Sequence, residues 1–385
     1  MASKHHNDGQ LQLVADEDAL ASLIARLTSV GRIAFDTEAA SFHRYVDRVY
    51  LIQLSTDTET ALIDPLAVKN LDPIGAILQD PEVEIVFHDA DYDLRVLNRD
   101  YGFQGRNLFD TRLAAQLAGE EAVGLGALLE KYVEVKLDKR FQRADWSQRP
   151  LSREMVAYAA SDTKHLLHLR DILATRLQQL ARLDWAEEEF LRLESLRWTG
   201  GVKDDESHLR VKGAKALPPR QRVIFERVYA WRDTTAEELD RAPFRVLGNA
   251  TMFAIARAAP ESLSALSRIN GISASIARRY GPAILSAVKQ GVDLPKEALP
   301  RTPRRKRPLP DPGYETRLER LKELRNSCAE SCGLDPGLVC PNGTLQAIAR
   351  AAPTAVGDLK GVAELRAWQR SVLGELAILE AAHST

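Results

Sequence analysis

The sequence is short of cysteine, of long apolar runs and of a secretory leader, and each shortage closes off a class of protein. Only three cysteines occur in 385 residues: Cys328, Cys332 and Cys340, all near the C-terminus. An odd, sparse set builds no disulfide framework and fits a reducing compartment. Their spacing suits zinc poorly and no histidine follows nearby, so free buried thiols are expected. No apolar run approaches the roughly 20 residues that span a bilayer. The opening "MASKHHNDGQLQLVADEDAL" holds no apolar stretch of a signal peptide. These absences point to a cytoplasmic protein with no membrane attachment.

Net charge is also scarce, at −2, but the total hides an asymmetry. Residues 1–207 carry 24 Lys+Arg against 36 Asp+Glu, a net −12. Residues 208–291 carry 14 against 6, a net +8, and residues 311–385 carry 8 against 10, a net −2. An acidic first half joined to a basic middle suits a polyanionic partner, or is a solvated basic face.

The first 205 residues read as α/β. Strands are expected at Ile33–Asp36, Val49–Ser55, Thr60–Asp64 and Glu84–His88. The second and third form an antiparallel pair across the polar "TDTE" turn. Helical patterns cover 17–29, 69–79, 90–101, 110–119, 124–133, 152–177 and 183–197, giving a mixed sheet covered by helices. Beyond residue 205 the strand signal vanishes and helices broken by turns follow. Residues 294–310, with five prolines and six basic residues, cannot build a core and read as an extended linker. "NATMFAIARAAPESLSALSRI" at 249–269 aligns with "NGTLQAIARAAPTAVGDLKGV" at 342–362, an offset of 93. Two copies of one small helical domain follow from that repeat.

The chemistry concentrates in acids. Asp36 and Glu38 sit at i and i+2 on one strand and share a face. Adjacent carboxylates repel when buried, and a hard divalent cation resolves the conflict; an exposed edge or a helix cap is the plainer reading. In "EIVFHDADYDLRVL", Asp89 and Asp91 suit a helix N-terminus. Asp93, about a turn inside, is not explained by capping. His88 reads as a strand-end residue, and Asp110 as the N-cap of the next helix. In "MVAYAASDTKHLLHL", Tyr158 and Asp162 are four apart on one helix face, either a catalytic pair or a local hydrogen bond.

In this order "FDTE", "HDADYDL" and "YAASD" resemble the DEDDy class of 3′–5′ exonucleases and, within it, the ribonuclease D family. "LDKRFQRADWSQRPLS" at 137–152 is similar to the segment before that family's third motif. The two helical copies resemble HRDC domains. The resemblance implies a ribonuclease H-like α/β exonuclease domain over 1–205, HRDC-like domains over 208–291 and 313–385, and a Pro/Arg-rich linker at 292–312. It implies Asp36, Glu38, Asp93 and Asp162 as ligands of two divalent cations, Mg²⁺ or Mn²⁺. Tyr158 would orient the attacking water. Free phenol, with a pKa near ~10, is a poor base at neutral pH.

An acidic site repels RNA, so nearby cations are needed. Lys139, Arg140, Arg143 and Arg149 are candidates for phosphate contact, though basic loops are often plain surface; Arg232 in the basic copy is a further candidate. Phe42 is placed either to wedge against the terminal base or to pack. The second helical copy is expected to complete a ring or to position the first rather than to grip RNA strongly. The resulting reading is a 3′–5′ exoribonuclease releasing nucleoside 5′-monophosphates from precursor tRNA or another structured RNA, with no obligatory protein partner evident. The alternatives are a 3′–5′ DNA exonuclease and a non-catalytic nucleic-acid-binding adaptor.

Overall fold

The structure is a computed structural model that describes residues 10–200, 204–300, 311–362 and 364–383. The linker's residues 301–310 lie outside the described residues.

The first part alternates strands and helices: β1 (Gln10–Val14), α1 (Glu17–Leu27), β2 (Arg32–Ala39), β3 (Val49–Ser55), β4 (Glu59–Ile63), α2 (Asp72–Gln79), β5 (Glu84–Phe87), α3 (Asp91–Tyr101) and β6 (Leu108–Asp110). Five helices follow: α4 (Thr111–Leu117), α5 (Leu125–Val133), α6 (Arg153–Lys164), α7 (Leu166–Gln179) and α8 (Leu183–Glu194). The six strands form one sheet in the order β1-β4-β3-β2-β5-β6. β3 and β4 are antiparallel, with Ser55 opposite Thr60 across the tight turn. The β1–β4, β2–β5 and β5–β6 pairs are parallel.

Strand alternation sorts side chains to two faces. Ile33 and Phe35 of β2 join Ile85 and Phe87 of β5 in a core covered by α1, α2 and α3. Ala34 and Val86 turn to the other face, where Leu128, Leu169 and Leu173 of α5 and α7 cover them. Asp36 and Glu38 continue the Ala34 parity, so both acids belong to the α4–α8 side of the sheet. β1 and β6 were not expected from sequence. The expected helix over 152–177 is two helices, broken at His165, whose backbone (φ −109, ψ 2) leaves the helical region.

The middle helices are α9 (Pro219–Glu238), α10 (Pro243–Val246), α11 (Asn249–Ala258), α12 (Leu263–Ser267) and α13 (Ala274–Asp293). The last are α14 (Tyr314–Cys332), α15 (Pro336–Val339), α16 (Asn342–Ala351), α17 (Val356–Leu359), α18 (Ala367–Leu373) and α19 (Glu375–Ala382). Two spatial groupings cut across the contiguous blocks expected from sequence. The C-terminal helices group with the sheet domain, and the loop Ala39–Arg48 groups with the middle helices.

The reasons are specific contacts. Trp368 of α18 stacks on Trp185 of α8 at 5.2 Å between ring centroids. Glu188 accepts from the backbone N–H groups of Ala367 and Trp368, at 2.8 and 3.0 Å, capping α18 from outside its own domain. Buried Glu189 accepts from Trp368 Nε1 at 2.9 Å and pairs with Arg366 at 2.8 Å. In the other grouping, Tyr45 Oη donates to Asp233 at 3.1 Å, and Arg44 pairs with Asp240 at 3.0 Å.

Candidate active site

Three sequence-distant acids meet at the carboxyl end of β2. One ligand oxygen from each of Asp36, Glu38 and Asp162 lies within 4.8 Å of the others. They line a cavity of about 520 Å³ together with Thr37, His88, Gly124, Gly126, Lys139, Gln142 and Tyr158. Asp36 and Glu38 come from the strand face, and Asp162 from α6, which lies against β3 and β4. Asp162 and Tyr158 stand one helical turn apart on α6, and both line the cavity.

Asp93 reaches the same strand from α3. Thr37, on the opposite face of β2 from its two acidic neighbours, donates its hydroxyl to Asp93 in a buried bond. Asp93 is therefore held beside the trio rather than within it. The turn before α3 is itself fixed: Asp89 takes a left-handed conformation (φ 71), which a short polar side chain tolerates. Asp110 caps α4 through the N–H groups of Arg112 and Leu113. It also accepts from Ala90 N at 2.8 Å and Asp89 N at 3.3 Å, tying that turn to β6.

The electrostatics are those of a site awaiting positive charge. Burial, then the neighbouring carboxylates, push Asp36 and Glu38 well above the usual carboxylate range. Burial raises Asp93 and Asp162 to about 7. Among the described residues, no lysine or arginine pairs with Asp36, Glu38 or Asp162. Half-buried, hard oxygen donors without a counter-charge fit a divalent cation of the magnesium type. Burial and the surrounding acids also push the Tyr158 phenol up, so it stays protonated. Phe141 and Trp146 flank its ring, at 5.8 and 5.9 Å between centroids.

The cationic candidates divide. Lys139 lines the cavity. Arg140 is at the surface, paired with Asp138 at 2.6 Å, and Arg143 is exposed. Arg149 needs correction: its guanidinium binds Asp64 at 2.5 Å and the Tyr50 carbonyl at 2.7 Å, a strut between its loop and the sheet. Arg232 needs correction too. It is only 5% exposed and donates to Asn249 Oδ1 at 2.7 Å and the Leu247 carbonyl at 3.3 Å. The repeat carried that signal, because Arg325 occupies the same position in the copy with no basic excess. Phe42 lies in the loop that groups with the middle helices, edge-to-face with Phe244 at 6.0 Å. Sequence reasoning missed Thr37, Gln142 and His88 as site residues; for His88, the strand parity shared with Asp36 was the available signal.

Residues 11–178 match the 3′–5′ exonuclease family, and residues 221–288 and 315–381 each match the HRDC domain. A ribonuclease D from Gluconacetobacter diazotrophicus is 32% identical over 371 residues, 95% of this chain and 91% of that one. The chain belongs to the ribonuclease D family. Its activity is the family's, metal-dependent 3′–5′ exonucleolytic hydrolysis of RNA. The crystal structure of Escherichia coli RNase D, described as an exoribonuclease involved in structured RNA processing, superposes with a TM-score of 0.68 at 28% identity, covering 96% of this chain and 97% of that one. The catalytic core of RRP6 from Trypanosoma brucei gives a TM-score of 0.65 at 29% identity, covering 74% of this chain and 80% of that core. Among the described residues, no helix is long and apolar enough to cross a membrane.

Proposed function

We propose that this exoribonuclease trims the 3′ ends of precursor tRNA or other structured RNAs, using two divalent cations, Mg²⁺ or Mn²⁺, held by Asp36, Glu38, Asp93 and Asp162. The observation that carries the reading is the convergence of three half-buried carboxylates within 4.8 Å on one cavity. The reaction adds water across the last phosphodiester, frees a nucleoside 5′-monophosphate and leaves a new 3′-hydroxyl. When bound, the cations supply Lewis acidity and lower the pKa of a water.

The chain's own groups do the rest. Asp36 and Glu38 present their oxygens from one strand face, and Asp162 closes the set from α6. Thr37 fixes Asp93 at the edge of the set. Tyr158 keeps its proton, so it acts by orienting: one turn before Asp162, its hydroxyl presents an oxygen to the attacking water. Lys139 meets the incoming phosphate at the cavity wall, with Arg140 and Arg143 nearby on the same loop; Arg140 exchanges Asp138 for phosphate. The basic middle helices, with a net +8 over 208–291, hold the body of the RNA through its phosphates. The three free cysteines suit a reducing compartment such as the cytoplasm.

The test supplies matched 3′-extended tRNA, single-stranded RNA and single-stranded DNA with each metal. Shortening of RNA by one nucleotide at a time, abolished in Asp36→Ala, is the expected result. Preference for DNA, or binding without shortening, rejects the reading.

A further inference from the structure

The carboxyl end of β5 carries a group that the acid-centred mechanism leaves idle. In the parallel register of β2 and β5, Ala34 pairs with Val86, and both face the α4–α8 layer. Two positions further, the same alternation brings Asp36 and His88 to that face on neighbouring strands. His88 lines the cavity with Asp36, Glu38, Tyr158 and Asp162. It stands outside the trio whose oxygens lie within 4.8 Å, so it shares the cavity without joining the carboxylate cluster.

The tautomer of His88 follows from its neighbours. Thr111 Oγ1 donates to the Phe87 carbonyl at 3.0 Å, and a carbonyl can only accept. The hydroxyl's single proton is thereby committed. The same oxygen lies 2.9 Å from His88 Nδ1, so at that contact it accepts and Nδ1 carries the hydrogen. Nε2 keeps its lone pair and, among the described residues, meets no protein partner. Burial and the nearby Arg112 guanidinium lower the imidazole to about 4, consistent with a neutral ring.

A neutral acceptor in this cavity needs a donor. Phosphate diester oxygens offer no proton. Base N–H groups change with sequence. The sugar 2′-hydroxyl is present on every ribonucleotide and next to every scissile phosphate, and it is the group by which RNA differs from DNA. We propose that His88 Nε2 accepts a hydrogen bond from a ribose 2′-hydroxyl flanking the scissile phosphate, which makes His88 a specificity residue favouring RNA over DNA. Thr111 is its positioning residue. The inference rests on the exoribonuclease reading above.

The experiment compares wild type and His88→Leu on three strands that differ only at the 3′ end: all ribose, one 2′-deoxy at the terminal nucleotide, and one 2′-deoxy at the penultimate. Wild type loses about tenfold in kcat/KM on one of the two deoxy strands. His88→Leu loses a similar factor on the all-ribose strand and nothing further on that deoxy strand. His88→Gln, whose amide oxygen can accept, recovers part of the loss. Equal losses on all three strands, or losses that multiply, overturn the proposal. Should His88→Leu lower the melting temperature, Thr111→Val keeps the ring and frees the tautomer; a smaller loss of ribose preference supports the proposal, and an unchanged preference overturns it. A wild type that shortens no RNA, with Asp36→Ala as its control, is instead a failure of the underlying reading.

Discussion

The two helical copies share a scaffold down to single hydrogen bonds. Arg232 donates to Asn249 Oδ1 at 2.7 Å and the Leu247 carbonyl at 3.3 Å. Arg325 donates to Asn342 Oδ1 and the Cys340 carbonyl at the same 2.7 and 3.3 Å, each partner 93 residues on. Ala259 and Ala352 end their helices in the same left-handed conformation, φ 43 in both. The surfaces differ. The first copy carries a net +8 over 208–291, and the second a net −2 over 311–385. The second has Trp368 where the first has Ser275, and Trp368 docks on α8 of the sheet domain. A repeated interior with divergent exteriors teaches that the fold was kept while the surface changed, one copy keeping a basic excess and the other docking on the sheet domain.

The sharpest way to break that contrast is at Trp368. Trp368→Ala should destabilise the protein by about 3–5 kcal/mol, because it removes a buried aromatic and leaves Glu189 without its indole donor. Ser275→Ala, at the matching exposed position, should leave stability within about 0.5 kcal/mol. Denaturant unfolding of both variants measures the difference, and equal effects would erase the distinction between brace and free surface.

The second prediction sets the braced sheet domain against both copies. Asp93 and Asp162 are raised to about 7 from the ordinary value of 3.8. A raised acid contributes stability that is present below the unfolded pKa and lost as pH rises through the folded one. In chelator, stability should therefore fall between about pH 4 and pH 7, by on the order of 4 kcal/mol for one such group. Mg²⁺ should restore it, and Asp162→Asn should flatten the slope. Melting curves across pH, with and without metal, decide it; a chelated protein that gains stability over this window would refute the charge assignment.

Smaller effects are expected at the shared scaffold. Arg232→Ala and Arg325→Ala should each cost about 1–3 kcal/mol of stability and leave the salt dependence of RNA binding unchanged. If Arg232→Ala weakened RNA binding with stability intact, its reassignment from phosphate contact to scaffold would fail. The smallest effect belongs to single surface charges. Replacing Arg278 and Arg279 by alanine should lower the slope of log K against log salt by about 1 per lost phosphate contact, read by titration at several salt concentrations. Their counterparts in the second copy, Ser371 and Val372, carry no charge, so Ser371→Ala should change nothing.

Much of the sheet domain was legible because local patterns carried it. The apolar run into Asp36 and Glu38 set the face of both acids, and the "TDTE" turn set the β3–β4 hairpin. β1 escaped because it is five residues long, pairs in parallel with distant β4, and points the apolar members of its alternation, Leu11 and Leu13, away from the core. β6 is three residues long, too short for a period. The break at His165 has no glycine or proline to announce it. Arg149 and Arg232 show the limit of reading charge: composition counts a guanidinium the same whether it faces a phosphate or a backbone carbonyl of its own chain. The grouping of Ala39–Arg48 with the middle helices depends on Tyr45, Asp233 and Asp240, pairs nearly 200 residues apart that no local pattern reports.

The central claim is that Asp36, Glu38 and Asp162 converge to bind the cations that drive hydrolysis. Anomalous scattering from crystals grown with Mn²⁺ tests it most directly. The account predicts two peaks against these three carboxylates and Asp93, both missing in Asp36→Ala. Manganese bound elsewhere, or a cluster left without metal while the enzyme still shortens RNA, would contradict it.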